Sequence, residues 1–183
     1  INGIQTVASG GSADMTSINA GGTQTVQSGG STSGAYITLG GKQIVDGGRT
    51  TAFFVANYGT IQEVKNNGVA EGGTVYGNGA KQYVSAGGTA LKTELTNKAV
   101  QMVNNGGTTI STSLVNYGKE YVGAGGVASS TTINSYGTEY VNGGTDYHAV
   151  INEKGNQSVT DGGRAVSTTI NAGGKQTISG GTA

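Results

Sequence analysis

The sequence predicts an all-β fold, a parallel β-helix (solenoid) of about ten coils of 19 residues, on three observations. A Gln/Glu-x-Val/Ile tripeptide recurs, ending at Val7, Val26, Val45, Val64, Val84, Val103, Val122, Val141, Val159 and Ile178, at intervals of 18 to 20 residues. Glycine pairs follow most of these, from Gly10-Gly11 and Gly29-Gly30 through to Gly180-Gly181. Between the glycines, apolar or small residues alternate with polar ones at period two, which marks strand and not helix.

Each coil opens on the glycine pair, whose repeated corner needs a backbone that Gly adopts without a Cβ clash. A first strand follows. In Ile110-Ser111-Thr112-Ser113-Leu114 the even positions are expected inward and the serines outward, and Leu91-Thr93-Leu95 and Val166-Thr168-Ile170 repeat that parity. Its last apolar residue forms a second anchor six positions before the Gln, at Ile18, Ile37, Leu95, Leu114, Ile133, Ile151 and Ile170. After another corner the Gln-x-Val strand completes the coil. Two strands and two corners in 19 residues leave no room for a crossover helix. Stacked at ~4.8 Å, ten coils make a rod of about 45 Å. Parity is ambiguous only around Phe53-Phe54-Val55, where a one-residue slip exchanges inside and outside.

Composition agrees with this and excludes several classes. The 183 residues include 36 Gly and no Pro, Cys or Trp, with 34% hydrophobic and 11% charged residues. That is too little Leu, Ile, Val and Phe for one compact α/β core, and the absent proline suits strands paired on both sides. Collagen lacks its register here, and neutral charge with many β-branched residues argues against disorder. Without Cys there are no disulfides or thiolate metal sites. Zero net charge argues against nucleic acid as a partner. No apolar run reaches the length of a membrane span or signal peptide.

Residues that depart from the repeat are the places to look for chemistry. His148 is the sole histidine, so no His pair is available for a metal, and it is expected to point outward beside Asp146 and Tyr147. Calcium-binding G-G-x-G-x-D nonapeptides are absent, and no metal or other cofactor is expected. Glu120 and Glu139 replace Gln on adjacent coils. The Gln column is expected to face inward or toward a corner, each amide donating to the next. The two acids therefore read either as substituted ladder positions at a partly wet corner or as an acid/base pair of a glycan-cleaving solenoid.

The column before each valine faces outward and carries Tyr83, Met102, Tyr121 and Tyr140 in succession. Tyr58, Tyr117 and Tyr136 form a second set at a corner. Such aromatic stripes either pack along the stack or present a contact surface, and Tyr83, Met102, Tyr121 and Tyr140 are the candidates for self-association. Serine and threonine supply the remaining outward chemistry. Ser17, Ser111, Ser113, Ser130, Thr132, Ser167 and Thr169 project from the first strand, while Ser9, Ser12, Ser28, Ser31 and Ser179 flank the glycine corner. The Asn156-Gln157-Ser158 sequon carries little weight in so Ser-rich a chain.

The units, for example Gly162-Gly163-Arg164-Ala165-Val166-Ser167-Thr168-Thr169-Ile170-Asn171 followed by Gly173-Gly174-Lys175-Gln176-Thr177-Ile178, resemble the repeats of self-associating autotransporter adhesins of the AIDA, TibA and antigen 43 type. The resemblance covers the whole chain. It implies a right-handed β-helix forming part of a secreted passenger on the bacterial cell surface, at the outer membrane. It also implies autoaggregation, biofilm formation and adhesion to a host-cell surface receptor, without enzymatic activity. A cytoplasmic heptosyltransferase is the further implied partner, adding heptoses to Ser or Thr, with the twelve hydroxyls above as candidate acceptors. On this reading residues 1-183 are one β-helix segment of a passenger domain, truncated at both ends. The alternative is a glycan-binding or glycan-cleaving β-helix.

Overall fold

The computed structural model describes residues 1–183, and they form a parallel β-solenoid of about nine turns. Its strands make three sheets, of ten, nine and nine strands, each running the length of the rod. The first sheet runs from Ile4–Val7 to Lys175–Ser179 and carries the Gln-x-Val strands. The second runs from Ser12–Asp14 to Arg164–Val166, and the third from Ser17–Ile18 to Thr169–Ile170. Every named strand pairs with its equivalent one coil away, in register, so that Gln43 lies between Gln24 and Gln62 and Val45 between Val26 and Val64.

Three strands per coil, not two, correct the expected layout. The window Ile110–Leu114 is not one strand: Thr108–Ile110 ends at Ser111, whose φ of 59° is left-handed, and Ser113–Leu114 begins after it. That single residue turns the chain through a corner and resets the alternation. Ile110 consequently lies outward and 38% exposed, whereas Thr112 and Leu114 are buried as expected. Leu91 and Val166 are likewise only partly covered, outside the core. The same column holds Met15, Ala52, Lys92, Ser130, His148 and Ser167, all with positive φ. No residue type marks this corner, which is why period alone merges its two strands.

The glycine pairs divide their labour. At Gly106 the φ of 76° is the left-handed turn that the sequence predicts. Gly107 serves close approach instead, since a Cβ there would overlap the Val84 carbonyl of the coil below.

The interior is built from stacked columns. Ile18, Ile37, Val55, Val75, Leu95, Leu114, Ile133 and Ile151 of the third sheet meet the valines of the first, all buried. Around the ambiguous segment Phe53 and Val55 point inward and Phe54 outward, where Phe54 stacks on Tyr36 at 5.1 Å. The Gln column lies wholly inside the rod, not at a wet corner. Gln43 Nε2 donates to Gln24 Oε1 at 2.7 Å, Gln62 to Gln43 at 2.7 Å and Gln82 to Gln62 at 2.5 Å, and Gln101 continues the series to Gln82. Each internal amide thus receives and gives one bond, which lets a polar side chain stand in a dry core.

Candidate functional site

The hydroxyls are presented in several columns. Ser111, Ser130 and Ser167 sit at the left-handed corner and are exposed. Ser17 and Thr169 are exposed and Ser113 and Thr132 half-buried, all on the outer face of the third sheet. Ser179 ends a first-sheet strand and Ser9 and Ser28 lie in the turns just after two others, while Ser12 and Ser31 open strands of the second; these five are exposed. None of the twelve belongs to the core. Asn156 of the sequon is half-buried in a first-sheet strand.

Tyr83, Met102, Tyr121 and Tyr140 are paired position for position across four adjacent strands of the first sheet, and all are half-buried. Tyr121 and Tyr140 stack with centroids 4.7 Å apart and planes 9° from parallel. The corner set is more open: Tyr58 is 83% exposed, while Tyr117 and Tyr136 stack at 5.1 Å and Lys154 Nζ lies 5.5 Å from the Tyr136 ring. A third aromatic run, Tyr36–Phe54–Tyr76, follows on the third sheet and escapes a reading based on the Gln-x-Val strands. Ion pairs occupy other outward columns, with Glu71 bridging Arg49 and Lys92 and with Lys42 meeting Glu63 at 2.7 Å. Exposed pairs of this kind contribute little to stability.

The acids are arranged differently from the expectation. Glu120 and Glu139 lie side by side on adjacent strands, fully buried, and Asp146 joins them from the second sheet. Asp146 therefore points inward, away from its neighbours Tyr147 and His148, which are exposed. Its column elsewhere holds Ala90, Thr109, Ala128 and Ala165, eleven residues before the Gln or Glu of the ladder, and this spacing was the available signal.

Glu120 takes the hydroxyls of Thr109 at 2.7 Å and Thr131 at 3.1 Å, with Thr112 at 3.5 Å. Gln157 Nε2 donates to Glu139 Oε2 at 2.7 Å and to Asp146 Oδ2 at 2.9 Å. Burial pushes all three carboxyls up, Glu120 and Asp146 to about 7, with the three threonine hydroxyls opposing the rise at Glu120. Glu139 rises well above the usual range, from burial first and then from the charges of Asp146 and Glu120. Side chains enclosed in this way cannot touch a polysaccharide, so the glycan-cleaving reading of Glu120 and Glu139 falls. No group of His, Cys, Asp or Glu residues is arranged to hold a metal ion.

No protein-family profile matches the chain, and no curated protein matches it significantly. A solved structure does: a crystal structure of a TibA fragment hyper-glycosylated by TibC, at 35% identity and a TM-score of 0.80, covering 99% of this chain and 74% of that one. Identity at that level over nearly the whole solenoid goes beyond a shared fold, and it agrees with the resemblance carried by the repeat. The chain belongs to the autotransporter adhesin passengers of the TibA type.

Proposed function

We propose that this solenoid is a segment of a surface-displayed adhesin passenger that works by presentation and not by catalysis. Its roles on this reading are autoaggregation, biofilm formation and adhesion to a receptor on host cells. The observation that carries it is the likeness to TibA over the whole chain, joined to outward columns rich in small hydroxyls.

The same chemistry makes the segment a substrate. A cytoplasmic heptosyltransferase of the TibC kind needs accessible hydroxyls on a regular scaffold, and Ser111 and Ser130 recur one coil apart. Co-expression with TibC, followed by intact-mass measurement, is expected to add multiples of a heptose. An unchanged mass would sink the acceptor role.

Self-association would act through rods lying side by side, weak contacts being multiplied along the length. Zero net charge removes the repulsion that like chains otherwise meet. The continuous column of large side chains Tyr83, Met102, Tyr121 and Tyr140 favours the first sheet as the associating face. Sedimentation over a range of concentrations is expected to show dimers; a strictly monomeric rod at high concentration counts against the role.

A further inference from the structure

The Gln ladder has a rule that its acidic rungs break. Each amide accepts through Oε1 and donates through Nε2, so every rung completes the next. A carboxylate can only accept. At residue 120 the loss is repaired from the flank: Thr112 Oγ1 donates to Gln101 Oε1 at 3.2 Å, where the next rung would have done so. Glu120 itself is supplied by hydroxyls on both oxygens. Glu139 and Asp146 are not supplied in this way. One amide, Gln157 Nε2, serves one oxygen of each, and Glu139 Oε1 and Asp146 Oδ1 are buried without any hydrogen-bond partner.

The surroundings offer no countercharge. The first sheet contributes Glu120 and Glu139 and the second Asp146, while Thr112, Thr131 and Ala149, each just before a third-sheet strand, are the buried residues at the remaining corner. No Lys, Arg or His side chain is buried anywhere in the rod. Three acids in a dry interior with two orphaned oxygens need a positive partner, and a proton is the smallest. A protonated carboxyl also carries the O–H that stands in for the amide N–H of a Gln.

We propose that Glu139 and Asp146, beside Glu120, form a proton-binding site inside the solenoid, whose emptying loosens the turns between Lys119 and Ile151. Protons sit most firmly on the pair with the unpartnered oxygens, and Glu120, whose two oxygens already take threonine hydroxyls, is the first of the three to lose its own. When they leave for solvent, like charges accumulate on two adjacent first-sheet strands and the second-sheet strand beside them, and nothing neutralises them.

The direction of the effect follows from proton linkage. An Asp with an ordinary value of 3.8 that rises to about 7 when folded, as Asp146 does, holds its proton in the folded chain after the unfolded chain has lost it. Stability is then greatest below the ordinary value and falls as pH climbs through the folded one. This is opposite to the usual acid-labile carboxylate.

Thermal melts of the chain between pH 5 and pH 8 test the site. The melting temperature is expected to fall by roughly 5–10 °C across that range, the consequence of about two shifted pKa units in a chain of this size. The triple variant Glu120→Gln, Glu139→Gln, Asp146→Ala restores the ladder and the small second-sheet residue, and its melting temperature is expected to stay level. Infrared spectra of the unsubstituted chain at pH 6 supply a readout independent of the variant's folding, a protonated carboxyl band being expected. A triple variant with the same pH profile as the parent, or the absence of that band, overturns the proposal. So does a melting temperature at pH 8 that calcium raises and a chelator lowers, since a cation would then occupy the place assigned to the protons.

Discussion

The ring of Phe53 fills the space that a side chain at position 73, one coil on, would need. A Cβ added to Gly73 would lie 2.5 Å from Phe53 Cδ1, and Phe53 itself is 2% exposed. The same column holds Ala35 in the coil before and Thr93 in the coil after. A large residue is tolerated there because the next rung has none. Gly73→Ala is expected to cost about 1–3 kcal/mol by overpacking, and Phe53→Ala about 3–5 kcal/mol through the cavity it leaves. The double variant should cost less than the sum by about 1 kcal/mol or more, measured by chemical denaturation. Strict additivity would show that the two positions do not share this space.

Much of this was legible because a solenoid writes one coil many times. Val7 to Ile178 set the period, and the inward Gln column follows from its parity with the valines. What stayed hidden has physical causes. The second corner is made by backbone at Met15, Lys92, Ser111 and His148, residues with nothing in common, so two short strands looked like one. By simple alternation Asp146 shares the parity of the exposed His148, and the left-handed backbone at His148 is what breaks that alternation. In a coil of three strands the position eleven residues before Gln157 is an interior one, and it holds the third acid, Asp146.

The ladder itself predicts a cost for removing one rung. Gln62 donates to Gln43 at 2.7 Å and accepts from Gln82 at 2.5 Å, so Gln62→Ala strands a buried acceptor below and a buried donor above. About 2–4 kcal/mol of stability should be lost, whereas Thr25→Ala on the outer face of the same sheet should change it by less than about 0.5 kcal/mol. Gln62→Glu is the sharper variant. It accepts from Gln82 yet has no proton to give Gln43 once ionised, so its urea midpoint should fall further below that of the parent as pH rises from 5 to 8. A pH-independent deficit would mean that the ladder does not distinguish donor from acceptor.

Backbone strain at the second corner separates acceptor chemistry from fold. Ser130 has a φ of 59°, a conformation costing an L-residue about 1–2 kcal/mol. Ser130→Gly should relieve it and gain up to about 1 kcal/mol after the entropy of the freer unfolded chain is set against it. Thr132→Gly, two residues on in an extended strand, should instead lose about 1 kcal/mol. Both variants delete a candidate acceptor hydroxyl. Calorimetry of the unmodified chains checks the opposite signs, and a loss at both positions would contradict the corner geometry.

The stacked pair Tyr121 and Tyr140 gives the most direct test of which face associates. Their rings cover one another 4.7 Å apart on the outer face of the first sheet, with Tyr83 and Met102 continuing the column. Replacing both with Lys places like charges on neighbouring coils while leaving the inward Gln/Glu and valine columns untouched. The stacking lost within the rod is worth about 0.5–1.5 kcal/mol, too little to unfold a solenoid of this length. Circular dichroism should therefore remain that of the parent. If the first sheet is the associating face, the charges meet their copies across the interface, and the dimer dissociation constant from sedimentation should rise at least tenfold, about 1.4 kcal/mol or more. The same double substitution at Tyr117 and Tyr136, a stacked pair at the corner, supplies the comparison. Equal weakening by both variants would point to net charge as the cause, and no weakening by either would move the contact to another face.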